Sequence, residues 1–192
     1  PTKCFVLWGP PGVGKTLAAE HVGAIMNPTG AQQLIGSTDA EYGYFSCADV
    51  EDGDDVKGLM NRISEFLRST RAKSVLILDD VDLFTDEGND HREAARRAEL
   101  FALLGSAAWA CRRVIIVNDL FERNNRQLRD KKLFVTYQVG RAHIPSLTEY
   151  LMRKVPSLTG QRDVARLIAE QSGGDVRAAL IAASFDNTVM PV

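Results

Sequence analysis

The fold is decided by one glycine-rich stretch near the start of the chain, Gly9-Pro10-Pro11-Gly12-Val13-Gly14-Lys15-Thr16. It follows the spacing G-x-x-x-x-G-K-[ST] of a phosphate-binding loop. The glycines let consecutive backbone N–H groups approach phosphate oxygens with no Cβ in between. Lys15 is expected to reach the β- and γ-phosphates, and the Thr16 hydroxyl is expected to coordinate Mg²⁺. The stretch therefore predicts a site for a nucleoside triphosphate.

The residues on both sides of this loop have the patterns that such a loop requires. Cys4–Trp8 is a continuous apolar run of strand length, and Leu17–Met26 has the apolar spacing of a helix. A helix that begins directly after the loop adds free N–H groups and a dipole that favours an anion. We therefore assign the whole segment from Gly9 through Leu17 to phosphate binding.

Composition limits the remaining possibilities. The net charge is −2, from 23 basic and 25 acidic residues, so no global field draws the chain to nucleic acid or membrane. Cys4, Cys47 and Cys111 are widely spaced and odd in number, which fits a reducing intracellular setting better than a disulfide framework or a zinc site. No apolar stretch has transmembrane length. Because the sequence begins at Pro1, we expect a piece of a longer protein.

Alternating strand and helix patterns predict an α/β fold, a P-loop parallel sheet with helices on both faces. The further strands are expected over Tyr42–Cys47, Ser74–Asp79, Arg113–Asn118 and Lys132–Tyr137. Helices are expected through about Arg68, from about His91 to Ala110, and over Leu147–Val155, Gln161–Ser172 and Val176–Phe185, with a loop over Asn27–Glu41. We expect an αβ nucleotide-binding subdomain over residues 1–142 and a small all-helical lid subdomain over residues 143–192.

A second chemical signal is the apolar run Val75–Leu78 followed by the acidic segment Asp79-Asp80-Val81-Asp82. A carboxylate at the carboxyl end of a parallel strand lies where ligands bind in open α/β sheets. Asp79 is therefore predicted to hold Mg²⁺, directly or through water. Asp80 can turn toward the γ-phosphate and orient the attacking water. For both residues the alternative is an ordinary capping or turn aspartate.

Two more polar residues occupy positions where they could sense the γ-phosphate. Asn118 ends a predicted buried strand, and its neutral amide could hydrogen-bond the attacking water or the γ-phosphate. Arg177 lies in the first turn of the last helix, after the predicted N-cap Asp175. A cation there opposes the helix dipole, which suggests an anionic partner for the guanidinium. A turn asparagine and an ordinary surface arginine remain the alternatives.

These motifs, in this order, resemble an AAA+ ATPase: GPPGVGKT, VLILDDVD, VIIVND as sensor 1 and GGDVRAAL as sensor 2. Within that superfamily the chain is similar to the clamp-loader branch, as in the large subunit of replication factor C or a related alternative loader. Val117-Asn118-Asp119 and Gln127-Leu128-Arg129-Asp130 carry this likeness. The resemblance implies an enzyme that hydrolyses ATP with Mg²⁺, with Asp80, Asn118 and Arg177 as the catalytic residues and Arg177 also contacting the nucleotide.

The resemblance also implies partners and a location. These are other AAA+ subunits in a hetero-oligomeric ring, a sliding clamp, and primer–template DNA contacted through its backbone, inside the cell and in the nucleus. Two basic groups are candidates for the DNA contact, although a solvated helix face is the commoner meaning of such groups. They are His91, Arg92, Arg96 and Arg97, and then Arg123, Arg126, Arg129, Lys131 and Lys132.

The sequence departs from the clamp-loader pattern in two places. The family's Ser-Arg-Cys motif is replaced by Leu128-Arg129-Asp130-Lys131-Lys132, so no arginine finger is evident, as in large subunits. Asp80 stands where the family usually has glutamate, and it is one methylene shorter, so hydrolysis is expected to be weak. Two other functions stay open: a non-hydrolysing, ATP-bound AAA+ scaffold, and an origin-recognition or helicase-loader ATPase.

Overall fold

The computed structural model describes residues 4–26, 42–49, 53–69, 74–83 and 91–185. The loop predicted over Asn27–Glu41 lies outside the described residues. The chain forms two compact units: Pro1–Trp8 with Lys15–Gln138, and Gly9–Gly14 with Val139–Val192. The phosphate loop is thus divided, with its glycines in the second unit and Lys15 and Thr16 in the first. The subdomain boundary after residue 142 stays a prediction.

The first unit is built on one parallel sheet of five strands in the order β2-β3-β4-β1-β5. Each strand begins and ends within two residues of its predicted bounds, and the α/β prediction is confirmed. Because all five strands run in one direction, their carboxyl ends meet at one edge. The strands are β1 Cys4–Trp8, β2 Tyr42–Ser46, β3 Val75–Asp79, β4 Arg112–Val117 and β5 Phe134–Gln138.

Helices cover both faces of this sheet: α1 (Lys15–Met26) one face, and α2 (Gly53–Ser69) with α3 (His91–Gly105) the other. Alternate residues of the buried strands serve the two faces, as the period of two requires. In β3, Val75 and Ile77 pack with Ala19 of α1. Leu76 and Leu78 instead join the larger core against α2 and α3, with Leu59, Ile63, Leu100 and Phe101.

Helix α3 ends at Gly105, five residues before the predicted end at Ala110. Side chains that follow the helix satisfy its last carbonyl groups, which have no partner within the helix. The indole Nε1 of Trp109 donates to the Leu103 carbonyl at 2.8 Å. Arg113 donates to the Leu104 carbonyl at 2.7 Å and also to the Ser106 carbonyl. The chain therefore leaves the helix early and enters β4.

The α-helices in the described part of the second unit are α4 (Ile144–Lys154), α5 (Arg162–Gln171) and α6 (Val176–Phe185). Leu147, Leu151 and Val155, spaced four residues apart, face one small apolar core. Leu158, Ile168 and four alanines of α5 and α6 fill the rest of this core, and the small alanines let the helices pack closely. The Asp175 carboxylate accepts a hydrogen bond from the Ala178 N–H at 2.8 Å, which confirms its predicted role as the N-cap of α6.

Candidate nucleotide site

Thr16 and Asp79, the two predicted Mg²⁺ ligands, are in direct contact. The Thr16 hydroxyl, in the first turn of α1, donates to Asp79 Oδ2 at 2.6 Å. Asp79 ends β3 and is only 4% exposed, so its carboxylate needs hydrogen-bond donors. Tyr44 Oη of β2 donates to the same oxygen at 3.1 Å, and the Asp80 N–H donates to Oδ1 at 2.8 Å. Donors from α1, from β2 and from the residue that follows β3 therefore fix this carboxylate.

Lys15 and Asn118 form the second side-chain pair at this edge. Lys15 Nζ donates to Asn118 Oδ1 at 2.8 Å, although the two residues are 103 positions apart. Lys15 is buried at 7% exposure, whereas Asn118 is exposed and follows β4, which ends at Val117. A neutral amide acceptor does not offset the positive charge of an ammonium group, and an anion that approaches it would be strongly attracted.

Asp80 has the only positive φ of a non-glycine residue in the described part of the chain, at 57°. Aspartate tolerates this left-handed conformation better than most residues, because its short side chain bonds locally. The turn directs the Asp80 carboxylate toward β2, where the Ser46 hydroxyl donates to Oδ2 at 2.8 Å. Asp80 therefore lies at the carboxyl edge beside Asp79, with its carboxylate held by a neighbouring strand, and its role in orienting water stays a prediction.

Asp82 connects the ends of two strands. It lies in the 3-10 turn Val81–Leu83 after β3, and its carboxylate accepts a hydrogen bond from the backbone N–H of Asn118. Its other oxygen accepts from Asn125 Nδ2 at 3.1 Å. This carboxylate thus fixes the chain where it leaves β4.

The glycines of the loop are constrained by backbone geometry. Gly9, Gly12 and Gly14 all have positive φ values, of 148°, 77° and 91°. A Cβ at Gly12 would lie 2.2 Å from the Asp175 carboxylate oxygens. The Arg177 N–H donates to the Gly12 carbonyl at 3.2 Å. The second unit therefore brings Gly12, Asp175 and Arg177 together, with the Arg177 side chain exposed.

The other predicted loop residues have unequal exposure. Pro11 is exposed and Val13 is buried, while Pro10 is intermediate. Leu17, in the first turn of α1, is 52% exposed. The side chain of Val13 thus takes part in packing, whereas those of Pro11 and Leu17 face solvent.

Cys47 lies directly after β2, close to the acidic residues of the site. Burial raises the pKa of its thiol to about 12; the negative charges of Asp80, Asp79 and Asp82 raise it too, while Arg97 lowers it. A thiol with such a pKa stays protonated at neutral pH and is a poor nucleophile. Cys4, Cys47 and Cys111 are buried thiols outside any disulfide, so their role is in packing.

The two clusters of basic residues differ in how exposed their side chains are. Arg97 is 4% exposed because it lies on the same helical face of α3 as Leu100, Phe101 and Leu104, which enter the core. Arg97 is therefore neither a candidate for the DNA contact nor part of a solvated helix face. The side chains of His91 and Arg92 lie outside the described part, and Arg96 is half-buried. The second group is exposed throughout, comprising Arg123, Arg126, Arg129, Lys131 and Lys132.

The donor set fits ATP and Mg²⁺. A hydroxyl and a carboxylate within 2.6 Å of each other are the hard oxygen ligands that Mg²⁺ prefers. Lys15, which carries the ammonium group, is the first residue of α1 and directly follows the loop. The loop contains three glycines with positive φ, and a Cβ at these positions would obstruct a phosphate. Thr16, Asp79 and Lys15 could therefore hold the metal and the phosphates.

Four residues of this edge did not stand out in the sequence, namely Tyr44, Ser46, Asp82 and Asn125. Ser46 ends β2, and the rule that carboxyl ends of parallel strands meet at one edge could have identified it. Asp82 belongs to the acidic run after β3, but its partner could not be deduced. Tyr44 and Asn125 carry no local signal, because their contacts depend on strand order and on a buried turn.

The fold and this edge define a P-loop protein of the α/β class. Residues 5–132 match the family model described as "ATPase family associated with various cellular activities (AAA)". The chain belongs to this family of ATPases, and the resemblance seen in its motifs is confirmed.

Several curated proteins are similar to the chain. It is 27% identical to the replication factor C large subunit of Methanothrix thermoacetophila over 93% of its length and 34% of that protein. It is also 27% identical to the same subunit of Aeropyrum pernix, over 93% of the chain and 33% of the relative. ATPase WRNIP1 of Dictyostelium discoideum is 24% identical over 92% of the chain and 18% of that protein. The chain thus spans about a third of the two replication factor C subunits and less than a fifth of the third relative.

Among the described residues, none of the helices combines the length and apolar character needed to cross a bilayer. The same residues contain no cluster of three or more histidine, cysteine, aspartate or glutamate side chains arranged to hold a metal ion. A metal at this edge would therefore depend on the mixed pair Thr16 and Asp79 together with oxygens of the nucleotide.

Proposed function

We propose that this chain is the ATP-binding AAA+ module of a DNA clamp-loader subunit, which couples ATP binding and hydrolysis to opening and loading a sliding clamp on primer–template DNA. The observation that carries the proposal is the double pairing at the carboxyl edge. Lys15 contacts Asn118 at 2.8 Å, and Thr16 contacts Asp79 at 2.6 Å. Charge, hydroxyl, carboxylate and amide are thus assembled at one point, as phosphoryl transfer requires.

In this proposal the residues of the phosphate loop bind the nucleotide. Backbone N–H groups of Gly9–Gly14 surround the phosphates, and Lys15 exchanges the Asn118 amide for phosphate oxygens. Thr16 and Asp79 hold Mg²⁺, which neutralises the charge that develops on the phosphates. Leu17 contributes the N–H of the first helical turn. The affinity for ATP therefore depends on residues of the loop and of β3.

Hydrolysis is assigned to three further residues. Asp80 orients the attacking water, Asn118 contacts the γ-phosphate or that water, and Arg177 offsets negative charge on the γ-phosphate. Asp80 is already held by Ser46 at 2.8 Å, so its carboxylate has a defined direction. With a side chain one methylene shorter than glutamate, we expect slow turnover.

The clamp-loader assignment is supported by two relatives that carry the name replication factor C large subunit. The proposed partners are other AAA+ subunits in a hetero-oligomeric ring, a sliding clamp and primer–template DNA, with a nuclear location. The exposed cations Arg123, Arg126 and Arg129 are the candidates for contact with the DNA backbone.

A second candidate is a scaffold subunit that binds ATP without hydrolysing it. The observation that favours it is also at Asp80, which is short and whose carboxylate already accepts a hydrogen bond from Ser46. Such a subunit would hold ATP as a structural cofactor and stabilise its assembly through bound nucleotide. Lys15, Thr16 and Asp79 have the same role in both proposals.

Single-turnover ATP hydrolysis by the full-length protein in its complex separates the two candidates. We expect Asp80→Asn to slow hydrolysis roughly tenfold or more while ATP still binds, because an amide cannot accept a proton from water. Asp80→Glu tests the reach of the side chain. Asp163→Asn, on the exposed first turn of α5, is the matched control. Equal and slow hydrolysis by wild type and Asp80→Asn would exclude the enzymatic role and support the scaffold.

The partner assignment is tested in the same assay by adding clamp and primed DNA. A clamp-loader subunit is expected to hydrolyse ATP several-fold faster when both are present, because their binding favours the hydrolysing state. No stimulation, with ATP binding intact, would contradict the clamp-loader assignment and leave the ATPase assignment standing.

A further inference from the structure

We infer that Asp82 and Asn125 are positioning residues for Asn118, and that catalysis depends on them through the main chain at that residue. The inference rests on the proposed function. It assigns a role to two side chains that are not among the residues proposed to bind or hydrolyse the nucleotide. Asp82 follows β3 and Asn125 lies in the 3-10 turn Arg123–Arg129, so the pair joins segments that are far apart in sequence.

The Asp82 carboxylate is the centre of this arrangement. One oxygen accepts the backbone N–H of Asn118, and the other accepts Asn125 Nδ2 at 3.1 Å. A hydrogen bond to a carboxylate is about twice as strong as one between neutral groups. The N–H that is held belongs to the residue whose side chain reaches Lys15 at 2.8 Å. Asp82 therefore fixes the point from which the Asn118 amide extends.

Asn125 fixes Asp82 in turn. It is fully buried, and its Nδ2 also donates to the Asp119 carbonyl at 2.7 Å. Only an amide nitrogen offers two N–H donors on one short side chain, so leucine or aspartate at this position cannot make both contacts. The Phe121 N–H donates to the Asp119 carboxylate at 2.8 Å, which closes the same turn. The chain from Asn118 to Asn125 is thus held by one buried amide and one carboxylate.

The position of Asn118 matters more than its identity alone. A displacement of about 1 Å in a group that orients the reacting atoms can reduce a rate on the order of a hundredfold. Asn118 is exposed and lies beyond the end of β4, so the sheet ladder does not hold it. The position of the Asn118 backbone therefore depends on the contact with Asp82. If Asp82 had a purely structural role, its substitution would lower stability, and its effect on hydrolysis would not depend on the side chain of Asn118.

The test is a double-mutant cycle between Asp82 and Asn118 in the full-length protein within its complex. Asp82→Asn keeps the shape but presents an NH₂ group to one of two N–H donors. We expect single-turnover hydrolysis to fall roughly tenfold, with ATP affinity in EDTA changed less than about threefold. In an Asn118→Ala background the same substitution should change the rate less than about twofold, because the coupled group is already gone.

A second readout does not depend on turnover. If Asn118 contacts the γ-phosphate, the preference for ATP over ADP should fall in Asp82→Asn to the value of Asn118→Ala. Asn125→Leu should produce the same fall. Asp130→Asn is the matched control, since its carboxylate accepts the Lys132 N–H at 2.9 Å in an exposed turn and is outside this network. The Asp130→Asn variant should have the same preference for ATP over ADP and the same hydrolysis rate as the wild type.

The outcomes separate this inference from the proposal on which it rests. Wild-type protein that binds no ATP would overturn both. Wild-type protein that binds ATP, with Asp82→Asn and Asn118→Ala effects that multiply independently, would overturn the positioning role alone. An unchanged rate and ATP preference in Asp82→Asn would do the same. Loss of the effect of Asp82→Asn in the Asn118→Ala background would establish it.

Discussion

The two ends of the parallel sheet each hold a buried cation, and they hold it in different ways. At the carboxyl end, Lys15 donates to the side-chain amide of Asn118 at 2.8 Å. Near the amino end, Arg113 of β4 is fully buried and donates to the carbonyls of Leu104 and Ser106, at the end of α3. One cation has an acceptor on a rotatable side chain, and the other has acceptors on the main chain.

This difference separates a structural charge from one that is available to a ligand. The carbonyls around Arg113 cannot move without unwinding the end of α3, so the guanidinium is a permanent part of the packing. The Asn118 amide can rotate away from Lys15 at the cost of one hydrogen bond, about 1–3 kcal/mol. A phosphate can therefore replace the amide, but no ligand can replace the end of a helix.

The largest expected effect is that of Arg113→Met. It leaves one buried and one partly buried carbonyl acceptor without the charged donor, and each costs about 1–3 kcal/mol, so stability should fall by about 2–6 kcal/mol. Thermal unfolding of the full-length protein and hydrogen exchange of the β4 amides measure this loss. ATP affinity of the folded fraction should stay within about twofold of wild type, because the substitution is at the opposite end of the sheet.

The same substitution at the other cation, Lys15→Met, should produce the reverse pattern. Loss of charge-assisted bonds to the phosphates is expected to weaken ATP binding roughly a hundredfold, about 2.7 kcal/mol. Stability without nucleotide should change by less than about 1 kcal/mol, since the lost acceptor, Asn118, is exposed to water. Isothermal titration and thermal unfolding measure the two quantities. If both variants lost stability equally, the distinction between the two ends would be wrong.

The smallest expected effect concerns Tyr44, a hydrogen-bond donor to Asp79 at the carboxyl end of the sheet. Tyr44→Phe removes one donor to Asp79, and we expect ATP affinity in Mg²⁺ to fall about fivefold, near 1 kcal/mol. Affinity measured in EDTA should not change, because Tyr44 acts on the metal ligand. Tyr137→Phe is the control: Tyr137 of β5 is 52% exposed and stacks on Phe5. A similar loss in both variants would assign the effect to the sheet and not to Asp79.

Most of the fold could be predicted because its elements have strong local patterns. The runs Cys4–Trp8 and Val75–Leu78 are apolar throughout, as buried parallel strands require, and they form strands over Cys4–Trp8 and Val75–Asp79. The end of α3 was missed because Trp109 and Arg113, which satisfy its carbonyls, act from outside the helix. Local propensity contains no information about such contacts.

The site was predictable only where spacing carries the chemistry. Lys15, Thr16 and Asp79 follow from a loop motif and a strand end, and the structure brings Thr16 and Asp79 together. Tyr44 contacts Asp79 only because β2 lies next to β3, and strand order cannot be deduced from a local pattern. For Arg97 both alternatives, a DNA contact and a solvated helix face, require exposure, because a basic residue on an amphipathic helix normally faces water, whereas here it lies on the core face.

The left-handed turn at Asp80, with φ at 57°, has a consequence for any attempt to make this protein a faster enzyme. Glutamate would restore the missing methylene, but outside glycine, asparagine and aspartate the left-handed conformation costs about 1–2 kcal/mol. At position 80, a longer side chain would place the carboxylate better for hydrolysis, but it would raise the energy of the left-handed backbone. A longer acid would gain speed only if the turn also relaxed, so catalytic improvement has to begin with the main chain and not with the carboxylate.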